Sequence, residues 1–226
     1  MASGGRSGRD IPGGAGMLMN PVSMTACRRC GTCCKKGGPT FHIEDRRLID
    51  SGLIPAAHLV TIRKGERVND AIRGCVISLE FEMIKMKGTN PSWSCIYLDR
   101  SVSACLIYEN RPLECRILKC WDTRDIESEY ARNRLTRKEL LSGIPALWSL
   151  IEDHDRRCSH AVWQHLLDLS SADADAGRTI QETVAYDRSI RTLVVEKAGV
   201  EPDMLDFIFG RPLSETIPAG YRNNAF

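Results

Sequence analysis

The chain has 226 residues, 42% of them hydrophobic, and its 31 Lys and Arg nearly balance its 29 Asp and Glu. This composition predicts a folded core and argues against a disordered chain or a broad nucleic-acid-binding surface. No apolar run approaches the ~20 residues that cross a bilayer, so we expect no membrane span and no membrane partner. At about 100–200 residues per domain, we expect one domain or one compact module with a helical extension.

Residues 1–23 form a Gly-rich segment that begins "MASGGRSGRD". It lacks the apolar stretch of a secretory signal peptide, so we expect a flexible tail on a cytoplasmic protein. Its "GGAGM" follows no predicted strand and therefore does not indicate a phosphate-binding loop.

Short, irregular elements are predicted for residues 24–121. The segment "IEDRRLIDSG" predicts a short helix that Gly52 ends in a left-handed conformation. The alternation in "LEFEMIKMKG" predicts a strand, and "SWSCIYLD" predicts a second one. "ACLIYE" predicts an extended or buried run, and Pro112 suits the first turn of a short helix in "PLECRILK".

Residues 122–226 are predicted to be mainly helical. "RDIESEYARNRLTRKELLSG" predicts a solvated amphipathic helix that ends near Gly143. "SSADADAG" predicts a linker in which Asp173 and Asp175 are solvated, and the helix after it stops at Gly199. "EPDMLDFIFG" predicts a last short helix. Between Gly143 and the linker, another helix is predicted from apolar residues that recur with a period near 3.6, which are Ile144, Leu147, Trp148, Ile151, Cys158, Val162, Leu166 and Leu169.

This order of elements predicts an α+β protein. A small cysteine-rich metal-binding module with short strands, at residues 24–121, is followed by a mainly α-helical half, at residues 122–226, that packs on it. We expect no internal repeat.

Ten cysteines are the most informative feature of the composition. Without an export signal, such a density indicates metal or redox chemistry rather than structural disulfides. Cys75 and Cys158 stand alone and are expected to be small buried hydrophobes. The other eight are the candidate metal ligands and lie in a stretch of about a hundred residues: Cys27, Cys30, Cys33, Cys34, Cys95, Cys105, Cys115 and Cys120.

The first four candidate ligands lie in "CRRCGTCCKK". Thiolates are soft ligands that select zinc, copper(I) or iron–sulfur clusters, and a Cys-x2-Cys-x2-Cys loop with one distant cysteine is typical of four-iron clusters. In an extended segment Cys33 and Cys34 would point to opposite faces, so they would serve different centres, or only one would be a ligand. Eight sulfurs divide into two sites, but seven or fewer could serve one cluster.

Basic residues surround these cysteines. Nearby cations lower thiol pKa values and tune reduction potentials, although ordinary surface charge would look the same in a sequence. The residues concerned are Arg28, Arg29, Lys35, Lys36, Arg100, Arg111, Arg116 and Lys119.

The ordered motifs "CRRCGTCC", "CIYLD", "CLIYENRP" and "ECR" resemble the CxxCxxCC cysteine-cluster family of zinc- or iron-chelating domains. The resemblance covers roughly residues 27–120. It implies as metal-binding residues Cys27, Cys30, Cys33, Cys34, Cys95, Cys105 and Cys115, to which the nearby Cys120 is added. Flagellin lysine methylases have a similar motif and carry an iron–sulfur cluster, which implies a protein-modifying enzyme as one alternative.

Supporting roles are predicted for other residues near the cysteines. His42 could complete a metal sphere, but a histidine satisfied by other partners is the simpler hypothesis, and His154 and His165 are expected to pack. Trp93 and Trp121 are predicted to form an apolar wall that keeps water from the metal. Second-shell hydrogen bonds are predicted for Tyr108, Glu109 and Arg111.

These patterns predict a protein that holds one or two iron–sulfur centres, or iron or zinc ions, with a redox or accessory role. A structural zinc module is the second hypothesis, and a protein-modifying enzyme is the third. The helical half would present a face to a partner protein or complete a substrate pocket. No Ser-His-Asp signal, HExxH or Walker motif is present, so no catalytic residue is assigned.

Overall fold

A computed structural model describes residues 26–70, 73–89, 92–169 and 173–216, so the predicted tail at residues 1–23 lies outside the described part. The strands are β1 (Leu59–Ile62), β2 (Arg67–Asp70), β3 (Cys75–Ser78), β4 (Met83–Met86), β5 (Gly88–Thr89), β6 (Ser94–Cys95), β7 (Leu98–Asp99) and β8 (Ala104–Cys105). The helices are α1 (Thr32–Lys35), α2 (Arg46–Asp50), α3 (Leu113–Ile117), α4 (Arg124–Glu129), α5 (Arg137–Leu141), α6 (Pro145–Arg157), α7 (His160–Leu169), α8 (Ala174–Ala198), α9 (Leu205–Phe209) and α10 (Leu213–Thr216).

The described strands pair as four antiparallel two-stranded sheets, β1 with β4, β2 with β3, β5 with β6, and β7 with β8. In the first pair Leu59 lies opposite Met86 and Ile62 opposite Met83. All four residues of β1 are buried. Its sequence therefore lacks the alternation of apolar and polar residues by which a half-exposed strand is recognised. The predicted α+β class, with strands first and helices after, is confirmed.

The main core draws on both halves of the chain. Phe41, Leu59 and Ile84 come from the cysteine-rich half and are fully buried, and they pack with Ile151 and Phe209 from the helical half. Helix α9 lies against β1, where the Thr61 hydroxyl donates to the carbonyl of Phe207 at 2.6 Å. This shared core gives the short strands a rigid support, since isolated two-stranded pairs are marginal in water.

The prediction of a single solvated helix before Gly143 is wrong, because this segment forms two short helices, α4 and α5. Residues 130–133, between α4 and α5, instead form turns and bends, and the fully buried Leu135 that follows donates its N–H to the carbonyl of Phe41 at 2.9 Å. A capping box then starts α5, with Thr136 and Glu139 bonded reciprocally. Burial of one leucine, together with this cap, outweighs the helix propensity of the charged residues around it.

Two other predictions for the helical half also need correction. The long helix from residue 145 breaks at Cys158 and Ser159 into α6 and α7. The predicted linker is partly helical, because the Asp173 side chain accepts from the N–H of Asp175 and caps the first turn of α8. Gly52 adopts the predicted left-handed conformation, with a φ of 74°, and Gly199, at which α8 was predicted to stop, has a φ of 65°.

The remaining elements follow the sequence in part. The segment at residues 92–99 forms two strands of two residues each, rather than one strand, and the extended run after residue 104 is reduced to β8. Helix α3 forms directly after Pro112, as predicted. Among the described helices, none combines the length and apolar character that crossing a membrane requires.

Candidate metal centre

The loop that carries the first cysteines bends sharply at Gly31, which precedes α1. Gly31 has a φ of 70°, and a Cβ atom there would lie 3.0 Å from the carbonyl oxygen of Ser103. Glycine is therefore required both by the backbone conformation and by the contact. The contact places the first cysteine loop against the connection between β7 and β8, and Cys105 is the last residue of β8.

Cys33 and Cys34 lie in one helical turn, not in the extended segment for which opposite faces were expected. Consecutive side chains in a helix are only about 100° apart, and the two Sγ atoms lie 3.9 Å from each other. Two thiolates bound to one tetrahedral ion at about 2.3 Å would be ~3.8 Å apart. The adjacent pair therefore has the spacing of two ligands of a single ion.

The proximity of these two sulfurs also shifts the pKa values of the two thiols in opposite directions. A hydrogen bond from the neighbouring thiol stabilises the Cys33 thiolate and lowers the pKa of Cys33 to about 6, with a smaller contribution from the charge of Arg111. The same hydrogen bond and burial raise the pKa of Cys34. One thiolate thus forms readily at neutral pH, and a cation is needed to stabilise the second.

Cys95, on β6, and Cys115, on α3, belong to the same electrostatic neighbourhood. Burial raises the pKa of both thiols, and nearby thiolates at Cys33 and Cys105 raise it further. Cys105 lies on β8, and Cys34 packs against the core cluster that contains Cys95. Clustered thiols that raise one another's pKa values form a site that a bound cation would neutralise.

The remaining candidates lie at the edge of this neighbourhood or outside it. Cys30 is exposed, and hydrogen bonds from Thr32, whose hydroxyl lies 3.2 Å from the Cys30 Sγ, lower the pKa of Cys30, while the Cys33 thiolate opposes this with a smaller effect. Cys27 and Cys120 are also exposed, and the Cys27 Sγ accepts from the N–H of Arg29 at 3.4 Å. In the described ranges, no three of these sulfurs lie within 4.8 Å of one another. The structure therefore brings Cys33 and Cys34 together and groups Cys30, Cys95, Cys105 and Cys115 around them.

A different group in the described chain does meet the 4.8 Å spacing: His154, Cys158 and Asp187. Its ligand atoms are already used, because Asp187 accepts from His154 Nε2 at 2.7 Å, from Arg191 Nε at 3.0 Å and from the N–H of Leu213 at 3.0 Å. Burial raises the pKa of Cys158 to about 12, which keeps this thiol protonated. Through these hydrogen bonds, the buried group links α8 to α6 and α10. The sequence pattern did not reveal Asp187, because it lies on an otherwise regular helix.

The predicted supporting residues are partly in place. The guanidinium carbons of Arg29 and Arg111 lie 3.8 and 3.7 Å from the centroid of the Tyr108 ring, and Arg111 donates to the carbonyls of Tyr108 and Cys115. Trp93 and Trp121 are 41% and 38% exposed, so the predicted apolar wall is wrong. Trp93 lies directly before β6 and has a φ of 52°.

Several of the basic residues near cysteines make ordinary surface contacts. Lys119 pairs with Asp125, Arg116 with Glu44, and Arg100 donates to the hydroxyls of Thr89 and Ser92. Lys85 on β4 is not close to the cysteines in sequence, but its charge lowers the pKa of Cys95. Burial lowers the pKa of Lys85 itself, whereas the thiolates of Cys115 and Cys95 raise it. Strand pairing, rather than closeness in sequence, brings this charge to the site.

His42 is fixed behind the cysteines by other partners. Its Nδ1 donates to the carbonyl of Arg132 at 2.7 Å, and its Nε2 faces Glu114 at 3.5 Å. Although burial opposes ionisation, Glu114 and that carbonyl raise the pKa of His42. Glu114 also accepts from the N–H of Thr40 at 2.7 Å. With both ring nitrogens engaged, His42 orients the helix that carries Cys115 and is not free to bind a metal.

Soft thiol donors grouped in a hairpin-rich half define a candidate metal-chelating module. The profile of the CxxCxxCC family, described as "Putative zinc- or iron-chelating domain", matches residues 26–139, which is half of the chain. The chain therefore belongs to this family, and the resemblance inferred from its motifs is confirmed. Comparisons with curated proteins and with solved structures found no match.

Proposed function

We propose that this protein is a cytoplasmic metal-binding protein that holds one or two iron–sulfur centres, or iron or zinc ions, through its clustered cysteines, and that it has a redox or accessory role. The observation that carries this proposal is the 3.9 Å separation of the Cys33 and Cys34 sulfurs. Three further thiols are electrostatically coupled to this pair: Cys95 and Cys105 raise the pKa of Cys34, and Cys33 raises the pKa of Cys115. Thiolate is the ligand type that both zinc and iron–sulfur clusters require.

Each part of the site has a defined task in this proposal. Cys33 and Cys34 supply the central pair of sulfurs, Cys95 supplies a buried sulfur within the core cluster, and Cys115 on α3 supplies a half-buried one. Cys105 and Cys30 lie at the edge of the same group, and Cys27 and Cys120 are proposed as outer ligands. An iron–sulfur centre, when bound, would supply one-electron redox chemistry. Lys85 and Arg111 offset part of the negative charge of the thiolates.

A structural zinc site is the second candidate, because the same 3.9 Å spacing suits two thiolates on one zinc ion. Protein purified without oxygen separates the two possibilities. Iron and acid-labile sulfide with a brown colour would support the first, and colourless protein with stoichiometric zinc would support the second. S-adenosylmethionine binding, measured by calorimetry on the same sample, would favour the protein-modifying alternative.

Matched variants make the ligand assignment testable. Cys33→Ser is expected to lower the bound metal substantially. Cys75→Ser serves as the control, because Cys75, for which burial was wrongly predicted, is exposed on the two-stranded β2–β3 pair and lies outside the group. Equal metal content in both variants, at the wild-type level, would contradict the assignment.

A further inference from the structure

The first cysteine loop, residues 26–37, forms a basic surface with no acidic residue of its own. From residue 26 to residue 43 the sequence contains four Arg or Lys residues and no Asp or Glu. Arg28, Lys35 and Lys36 are exposed, and none of the three has an ion pair with the residues that the structure describes. Three cations of this loop therefore face solvent without a carboxylate.

An aliphatic segment, residues 102–108, lies along this basic loop. It touches the loop at both ends, through the carbonyl of Ser103 and the ring of Tyr108. Val102 and Leu106, in this segment, are 69% and 66% exposed. Large apolar side chains that are exposed together mark interaction sites. The basic loop and the aliphatic segment thus form one face with both charged and apolar parts.

Two carboxylates on the neighbouring chain offset only part of the positive charge of this face. Asp99 already accepts from the N–H and the hydroxyl of Ser101, at 2.9 and 2.6 Å, and Glu109 is exposed. The four Arg and Lys of the basic loop exceed these two carboxylates, and Arg100, whose guanidinium donates to two hydroxyls, adds a further cation. A bound metal would neutralise part of the charge of the thiolates beneath this face.

The aromatic rings beside the basic loop are not free to stack on nucleic-acid bases. The Tyr108 ring is in contact with the guanidinium groups of Arg29 and Arg111, and the guanidinium carbon of Arg211 lies 5.8 Å from the centroid of the Trp93 ring. Single-stranded nucleic acids bind through base stacking as well as charge, whereas protein interfaces combine apolar contacts with a polar rim. The face therefore fits a protein better than a nucleic acid.

We propose that this face docks a protein partner with an acidic surface. The carboxylates of the partner pair with Arg28, Lys35 and Lys36, and its apolar side chains pack on the aliphatic segment. Complementary charges of this kind speed association and orient the two proteins. The inference rests on the proposed function, because Cys30 and Cys33 are exposed in the same loop and the docked partner would meet the metal centre there.

A fluorescein-labelled peptide of Glu with a few Leu is a suitable probe, and its analogue with Gln in place of Glu removes the charge. An oligothymidylate of equal net charge represents nucleic acid. Binding to the full chain, purified without oxygen, is measured by fluorescence anisotropy. The acidic peptide is expected to bind saturably, about tenfold or more tightly than either other probe, and more weakly as the ionic strength rises from ~0.01 M to ~0.15 M.

Charge reversal at two positions tests whether binding is local to the basic loop. Lys35→Glu/Lys36→Glu is expected to weaken the acidic peptide at least about tenfold. Lys64→Glu/Arg67→Glu is the matched control, because both residues are exposed and the turn between them packs on α7. Val102→Ser should weaken the peptide by a smaller factor. Lys35→Gln/Lys36→Gln repeats the first comparison without added repulsion.

Metal content is measured on the same samples, so the two proposals fail separately. Wild-type protein that holds metal but does not bind the acidic peptide would overturn this inference alone. Wild-type protein that binds the peptide but holds no metal would contradict the proposed function alone. Equal weakening in the two charge-reversed variants, or tighter binding of the oligothymidylate, would also overturn the inference.

Discussion

The guanidinium of Arg29 stacks on the ring of Tyr108, with its central carbon 3.8 Å from the ring centroid. Arg29 lies between Cys27 and Cys30 and has a φ of 53°, a conformation that residues other than glycine rarely adopt. Tyr108 is also in contact with Arg111, which donates to the carbonyl of Cys115. The ring thus connects the first cysteine loop to the segment that presents Cys115.

Removing this ring is expected to loosen the metal site without unfolding the protein. Tyr108→Ala removes two cation–π contacts, each worth about 0.5–1 kcal/mol at an exposed site, so we expect metal to be lost to a chelator roughly 5- to 30-fold faster. Tyr108→Phe keeps the ring and serves as the control. Equal rates of metal loss for the alanine and phenylalanine variants would show that the stacking has no part in holding the loops.

A second prediction concerns the bend at Gly31. Gly31→Ala introduces a Cβ atom 3.0 Å from the Ser103 carbonyl at a φ of 70°, so we expect ~1–3 kcal/mol of destabilisation in this loop and a reduced metal content. Gly143→Ala is the matched control, since a Cβ atom there meets nothing within 4 Å. Metal content and urea unfolding measured on both variants check the prediction, which wild-type behaviour of Gly31→Ala would refute.

The acidity of Cys33 predicts a pH-dependent reaction in the metal-free protein. Because the pKa of Cys33 is lowered to about 6 and those of Cys34 and Cys115 are raised, iodoacetamide should modify Cys33 first. The Cys33 thiolate is present above pH 6 and is protonated as the pH falls through 6. The alkylation rate, followed by mass spectrometry, should therefore fall to half near pH 6, and Cys33→Ser should remove this step. A half-point near pH 9 would contradict the assignment.

The buried ion pairs of Arg137 predict that the two halves unfold together. This residue, 1% exposed, donates to Glu82 at 2.5 Å, to Asp155 at 2.6 Å and to the carbonyl of Ile208 at 2.7 Å. Arg137→Ala leaves Glu82 without its cation and Asp155 with only Arg63, at 3.7 Å, so we expect a loss of about 3–5 kcal/mol in the free energy of unfolding.

Arg178→Ala is the control for this variant, because Arg178 pairs with Asp175 at the surface and such pairs contribute at most ~1 kcal/mol. Urea unfolding, followed both by tryptophan fluorescence and by circular dichroism, provides the measurement. Separate transitions for the two probes in the wild-type protein would show that the halves are not coupled.

Periodicity and turn residues predicted the larger elements of the fold. Helix α8 was predicted with its end at Gly199, and α3 with its start after Pro112, because local spacing and capping determine these boundaries. The interruption at Leu135 depends on a backbone bond to Phe41, almost a hundred residues away, and no local pattern contains that information. Strands of two residues, such as β6, are too short to show any period at all.

The candidate site was predictable in its residue types but not in its geometry. Cysteine spacing identified the thiols, whereas the 3.9 Å approach of Cys33 and Cys34 depends on a helical turn that begins at Gly31. The lysine that faces the buried thiols, Lys85, reaches them through the pairing of β1 with β4. Roles that arise from tertiary contacts of this kind require the folded structure.

X-ray absorption at the iron and zinc edges of protein purified without oxygen tests the central proposal most directly. The proposal predicts sulfur scatterers at about 2.3 Å, with a coordination number near four that falls in Cys33→Ser and is unchanged in Cys75→Ser. A metal sphere made only of nitrogen and oxygen atoms, or one unaffected by the loss of Cys33, would contradict it.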